Sequence, residues 1–392
     1  MIFLDLGYQP LANRYKSSTS KKEKEIKYRL LINFDPKSKL VSIKRKFSSN
    51  IMFNNSYPYR SSMSKTMVNN FKTLALKIKK KFDHKKILEI GCNDGAFLEH
   101  FNGIAVGIEP CGNIAKLAKK KKIKVITDYW TKKLAKKIKL KYGLFDIIYS
   151  ANTLTHIKNL NQVFKSINLV LDENGVLIIE DPSMLECIKK NTYDQFYNEH
   201  IYVFSLISLS KILKQFSLRI FKLENLDVHG GSNRYYICRN NSKIKPHSSI
   251  KKNLKNELKF SLDKQKTYQK FGSRVKKSKK LLFDIFEKLR IKKSKVIGYG
   301  ASAKAVTILN YCGITNKHIE YFLDITPEKQ NKILPGTNIL IKKYTSKSLA
   351  NINYAFLGAW NFKNEIFKKE NKYLKKGCKF ITHAPIPKIV QK

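Results

Sequence analysis

The sequence predicts an α/β protein with two parallel sheets, each interleaved with helices, behind a small N-terminal region. Three observations carry that prediction. Residues 71–240 alternate short, near-continuous apolar runs with segments whose apolar positions recur at helical spacing. Strands apolar on both faces are what a parallel sheet covered on both sides requires. The same alternation resumes near residue 293, and in each stretch a strand runs into a glycine turn, at 91–95 and at 298–300. That punctuation opens Rossmann-like units, and 392 residues leave room for two of them.

Taken in order, residues 1–70 form a lid region, with a turn at Asp35-Pro36-Lys37-Ser38 and an aromatic-polar run, Ser56-Tyr57-Pro58-Tyr59-Arg60-Ser61-Ser62. Residues 71–245 form the first α/β domain, with strands expected at 86–90, 104–108, 124–127, 145–150 and 175–180. Helices are expected between them, at 114–122 and 160–171. Residues 246–292, rich in lysine and apolar at helical spacing, read as a connecting helix or helix pair. Residues 293–392 form the second α/β domain, with strands at 295–298, 319–324 and 354–358.

The charge narrows the partners. Against 29 Asp+Glu stand 78 Lys+Arg, a net charge of +49. Only nine of those cations are arginine and 69 are lysine, spread along the whole chain. Nucleic-acid readers cluster arginine for bidentate contacts, so a solvated lysine-rich surface is the better reading, one that still favours a small phosphate-bearing substrate. No run of 18 apolar residues occurs, and Met1–Tyr15 has no basic region followed by an apolar stretch. A cytoplasmic protein without a membrane partner is expected. The six cysteines, at 92, 111, 187, 238, 312 and 378, form no C-x-x-C pair and no disulfide framework.

The strongest local signal is Ile87-Leu88-Glu89-Ile90-Gly91-Cys92-Asn93-Asp94-Gly95. Gly91 and Gly95 let the backbone turn tightly and approach a ligand. Glu109, eighteen residues after Gly91, ends the next strand, where an acid suits the two hydroxyls of a ribose. The spacing is Glu-x-Gly-x-x-x-Gly and leaves no evident pyrophosphate cradle, so a nucleoside ligand such as S-adenosylmethionine (SAM) fits better than a dinucleotide. Asp128, after the third strand, is placed to reach the adenine amino group, with Tyr129 or Trp130 as an apolar wall. Asn152, after the fourth strand, completes the expected cofactor set of Glu89, Gly91, Asn93, Gly95, Glu109, Asp128 and Asn152.

These residues, with further blocks along the chain, resemble the SAM-dependent sugar C-methyltransferases that act on nucleotide-linked keto-deoxysugars. Leu6-Gly7-Tyr8-Gln9-Pro10-Leu11-Ala12-Asn13 is similar to that family's N-terminal segment, and Tyr57-Pro58-Tyr59-Arg60-Ser61-Ser62 to its lid. Gly107-Ile108-Glu109-Pro110 and Ala151-Asn152-Thr153-Leu154-Thr155-His156-Ile157 resemble its segments after the second and fourth strands. Tyr193-Asp194-Gln195-Phe196-Tyr197-Asn198-Glu199-His200 and His229-Gly230-Gly231-Ser232-Asn233-Arg234 are the most specific blocks. Gly298-Tyr299-Gly300-Ala301-Ser302-Ala303-Lys304 and Pro335-Gly336-Thr337 resemble its second domain. The resemblance implies a class I SAM methyltransferase domain, a dTDP-type keto-sugar as substrate, and methylation at carbon. Family members usually carry a zinc domain held by four cysteines near the N-terminus. Residues 31–46, where the second pair belongs, hold none, so no zinc is expected.

Carbon methylation needs a base to remove the proton beside the ketone and a donor to stabilise the enolate oxygen. His200 is the natural base, and Glu199 beside it is expected to set its tautomer or raise its basicity. Tyr197, three residues earlier, shares a face with His200 if the segment is helical, and its hydroxyl can donate to the ketone oxygen. His156, at the carboxyl edge of the sheet, is a second base or an enolate donor. In the family reading Tyr59 closes over the sugar. Tyr57, His229, Ser232 and Arg234 are expected near the substrate, Arg234 serving a phosphate or a structural carboxylate, with Ser302 or Lys304 near the phosphates. Gly298-x-Gly300-x-x-Ala303, with Asp324 at the next strand's end, has the form of a dinucleotide loop, a weak signal by itself. O- or N-methylation of a sugar or small metabolite is the alternative; a nucleic-acid-binding protein and an inactive binding protein are disfavoured.

Overall fold

The computed structural model describes residues 1–18, 25–81, 86–101, 103 and 105–391. Seven strands form the sheet of the first α/β unit, in the order Leu218–Leu226, Ser232–Arg239, Leu171–Pro182, Phe145–Ala151, Ile87–Ile90, Ala105–Ile108 and Lys124–Ile126. The last five are mutually parallel, and the first two form an antiparallel hairpin on the edge. The strand expected at 175–180 is longer, Leu171–Pro182: Leu171 pairs with Phe145 at one end, and the hairpin carries the ladder to Pro182 at the other. Ile104, the expected start of the second strand, lies outside the described residues.

Every residue of Ile87–Ile90 and of Ala105–Ile108 is buried, as strands covered on both faces must be. One covering helix, Leu160–Val170, turns Leu160, Val163, Phe164, Ile167 and Val170 inward, a 3.6-residue stripe. Asn159 caps it, its side chain accepting from Gln162 N at 3.0 Å. From Ile87–Ile90 the chain builds the sheet first to one side and then to the other. At such a reversal the carboxyl ends of neighbouring strands part and leave a crevice for a ligand.

The second unit carries an eight-stranded sheet, in the order Lys388–Val390, Lys379–Thr382, Tyr354–Leu357, Val296–Tyr299, Tyr321–Asp324, Ile339–Lys343, Lys332–Leu334 and Lys16–Ser17. The connector is a helix pair, Ser248–Lys259 and Gln265–Ile291. Its long helix buries Tyr268, Phe271, Val275, Leu282 and Phe286, and Tyr268 stacks on Phe34 at 4.2 Å. The N-terminal residues are shared between units. Ile2–Pro10, Lys27–Phe34 and Val41–Ile43 form an antiparallel sheet completed by Tyr202–Val203 of the first unit, while Lys16–Ser17 edges the sheet of the second. Among the described residues no helix is long and apolar enough to cross a membrane.

Candidate active site

A cavity of about 370 Å³ opens at the crevice of the first sheet, walled by the lid region, the first unit and the second. Gly91, Asn93, Glu109, Asn152 and His156 reach its wall from the carboxyl ends of the strands, and Tyr57 and Tyr59 reach it from the lid. Tyr197, Glu199, His200 and His229 line it further along, and Ser302 and Lys304 approach from the second unit.

At the cofactor loop the backbone decides the residue. Gly91 has φ +77°, and a Cβ there would stand 2.2 Å from Thr153 Oγ1, so only glycine fits. The Glu109 carboxylate is fixed by two main-chain amides, Asn93 N at 3.0 Å and Cys111 N at 2.8 Å. Burial pushes its pKa up, and those donors pull against it. Each oxygen keeps a further acceptor site, which matches a ribose diol. Ile90, Ile108, Tyr129 and Trp130 add an apolar wall beside it. This loop fits the nucleoside of SAM.

Beyond the loop four rings follow one another. Phe53 stacks on His156 with centroids 5.4 Å apart, His156 on His200 at 5.2 Å, and His200 meets Tyr197 at 4.2 Å. His200 Nδ1 lies 2.9 Å from Gln195 O, and Nε2 lies 2.7 Å from the Tyr197 hydroxyl. A carbonyl only accepts, so the proton sits on Nδ1 and Nε2 accepts from Tyr197. Burial drives the pKa of His200 well below the usual imidazole value, helped by the neighbouring His156 and the Lys304 charge. Burial lowers His156 to about 3, and burial with Lys304 and His156 lowers His229 to about 3. Nε2 of His156 and Nε2 of His229 are buried with no hydrogen-bond partner among the described residues. Both residues line the cavity, where a bound ligand can satisfy those atoms.

Several expectations are corrected. Glu199 does not touch His200: it accepts from Asn13 Nδ2 at 2.8 Å and from the Tyr57 hydroxyl at 3.0 Å, tying the lid to this segment. The histidine's tautomer is set by Gln195 O instead. The segment from Phe196 to His200 is irregular, not helical, so the Tyr197–His200 contact arises from a chain bend. Glu89, Gly95, Asp128, Ser232 and Arg234 lie off the cavity wall. Glu89 is buried with Oε2 unpartnered, and Gly95 packs against Ile123 and Ala118. Asp128 is exposed, and its carboxylate accepts from Tyr129 N at 2.7 Å. Ser232 Oγ donates to Val228 O at 3.1 Å, inside the glycine turn. Arg234, 2% exposed, is committed to Glu180 at 2.6 Å, Glu224 at 2.9 Å and Asn70 at 3.0 Å. Its partner is thus a structural carboxylate, since a buried guanidinium needs counter-charges.

In the second unit, Ser302 caps the helix Ala303–Cys312: its hydroxyl accepts from Ala305 N at 3.1 Å and donates to Gly358 O at 2.7 Å. Lys304 is bonded to Gln195 Oε1. The glycine loop of this unit reaches the cavity wall with Gly300 and Asp324. A Cβ on Gly300 would stand 2.4 Å from Ala359 Cβ, and Asp324 accepts from Ala301 N and Thr326 N, each at 2.8 Å. The sequence reading missed Asn13 and Gln195 as site residues, although both sit inside quoted blocks. Nothing in a linear motif distinguishes a residue whose partner lies 186 positions away, as Asn13 and Glu199 do.

A methyltransferase-domain family model matches residues 59–223, and a C-methyltransferase C-terminal domain model matches residues 227–387. The C-methyltransferase NovU of Streptomyces niveus is 28% identical over 311 residues, which are 79% of this chain and 74% of that protein. Among solved structures, magnesium protoporphyrin IX methyltransferase from Synechocystis PCC 6803 with bound SAM is 13% identical, with a TM-score of 0.34, over 44% of this chain and 79% of that one. A possible histamine N-methyltransferase from Thermotoga maritima is 19% identical, with a TM-score of 0.34, over 44% of this chain and 91% of that one.

Proposed function

From the premise that this chain is a SAM-dependent C-methyltransferase, we propose that it methylates the carbon beside the ketone of a nucleotide-linked keto-deoxysugar. The observation that carries this reading is the hydrogen-bonded Tyr197–His200 pair, on the same cavity as the Glu109 loop. SAM, when bound, supplies an electrophilic methyl on a good leaving group. The protein's task is to hold it and to create a carbon nucleophile.

Glu109 takes the ribose hydroxyls, Tyr129 and Trp130 flank the adenine, and Gly91, Asn93 and Asn152 shape the remaining wall. His200 Nε2 already accepts the Tyr197 proton. The carbon acid's proton therefore passes to the Tyr197 oxygen as the tyrosine's own proton moves to Nε2, leaving an enolate, a neutral tyrosine and an imidazolium. Burial and Lys304 oppose that imidazolium, so the proton returns readily and exchanges with solvent when no methyl is transferred. A proton on the unpartnered Nε2 of His156 donates to the enolate oxygen. Tyr59 and Tyr57 close the sugar side, with Tyr57 latched to Glu199.

The test is incubation in heavy water with a panel of dTDP-linked 4-keto-6-deoxysugars. Deuterium uptake at carbon without SAM, and a carbon-bound methyl with it, are expected. His200→Ala should slow uptake by about a hundredfold or more. A methyl gained with no exchange would overturn the carbon reading in favour of O- or N-transfer.

A further inference from the structure

The proposed proton transfer requires that His200 keep its proton on Nδ1, and the atom that holds it there is the main-chain oxygen of Gln195. Gln195 closes a short turn, Tyr193–Gln195, and every side chain of that turn reaches the C-terminal unit. The Tyr193 hydroxyl meets Cys312 Sγ at 3.6 Å. Asp194, fully buried, accepts from Trp360 Nε1 at 2.6 Å and pairs with His383 Nε2 at 3.0 Å. Gln195 Oε1 accepts from Lys304 Nζ, and Gln195 Nε2 donates to His229 O at 2.7 Å.

The two partners of the Gln195 amide demand the same orientation. An ammonium only donates and a carbonyl only accepts, so the oxygen must face Lys304 and the nitrogen must face His229. A side chain pinned at both ends fixes its own main chain. Lys304 is itself buried, 7% exposed, and its charge is spent inside this network.

We propose that Gln195 is a positioning residue of the reaction. Clamped between Lys304 and the His229 carbonyl, it fixes the oxygen that selects the His200 tautomer able to accept from Tyr197, and through it the C-terminal unit becomes part of the proton-transfer machinery. Without that oxygen in place the imidazole proton can sit on Nε2, where it faces the Tyr197 hydroxyl and leaves no acceptor. The kinetic half of this proposal rests on the function proposed above; the structural half does not.

The test uses the full chain labelled with ¹⁵N-histidine, in wild type, Gln195→Met and Lys304→Met. Wild-type His200 should give the nitrogen shifts of a neutral ring protonated on Nδ1, and both variants should show a mixture of tautomers. Deuterium uptake by the keto-sugar should fall at least about tenfold, below the roughly 10⁴-fold that a wrong histidine tautomer can cost, with SAM affinity unchanged. Wild-type shifts and uptake in both variants would overturn the proposal, as would lost uptake with the tautomer intact. If either variant fails to fold, Trp360→Phe removes one bond to Asp194 and carries the same measurement. A wild-type protein that exchanges no sugar proton would sink the proposed function, while the nitrogen shifts would still decide the role of Gln195.

Discussion

Three imidazoles share one wall of the cavity, and each is held neutral by the cost of charging it where water is scarce. The linkage has a definite sign. His229 titrates near 6.5 when unfolded and at about 3 when folded, so between those values the unfolded chain binds more protons. Stability from this residue is full above pH 6.5 and is lost as pH falls toward 3. His229→Asn, which tolerates the residue's left-handed backbone (φ +52°), should therefore lose less stability between pH 7.5 and pH 5 than wild type, by about 1–2 kcal/mol. Urea unfolding at both pH values checks this. Glu199 pulls the other way. Burial raises its pKa to about 7 against the bonds from Asn13 and Tyr57, so its contribution is present below about pH 4.5 and lost as pH rises through 7. The loss on the alkaline side is the cost of burying the charge, since the bonds from Asn13 and Tyr57 themselves favour the carboxylate.

Among the elements, the Gly91 turn and the edge hairpin carry opposite kinds of constraint. Gly91→Ala adds left-handed strain and a clash with Thr153, and should weaken SAM binding at least about tenfold in calorimetry while the fold survives. Arg234→Met strands Glu180, which is 1% exposed, and should cost about 3–5 kcal/mol in urea unfolding without altering SAM affinity. The parallel strands were legible because burial on both faces writes near-continuous apolar runs, as Ala105–Ile108 shows. So was the glycine turn, since a positive φ leaves few alternatives. Arg234 was read two ways for a physical reason: a guanidinium suits phosphate and carboxylate equally, and only the fold shows Glu180 opposite it across the Leu171–Pro182 ladder. Ser302 holds a second role that the sequence did not show, because a helix cap and a phosphate ligand call for the same hydroxyl.

At the scale of the whole molecule, a net charge of +49 acts on the folded state as self-repulsion. Raising the salt from about 50 to 500 mM shortens the screening length several-fold, and the melting temperature should rise by scanning calorimetry. A fall would mean that ion pairs such as Lys121–Glu99 outweigh the repulsion. The α/β repeats announced two units in the sequence. What the sequence concealed is how they are sewn together, because two-residue strands such as Lys16–Ser17 and Tyr202–Val203 have no period to detect.

That stitching has a consequence for the order in which the chain is made. Ser17 pairs with Lys332, and Lys16 with Ile333. At about 5–20 residues per second, tens of seconds separate the synthesis of these two strands. Val41 must likewise wait for Val203. This segment, made long before its partners, is therefore among the last to find its place, and its apolar side chains spend that interval within reach of chaperones.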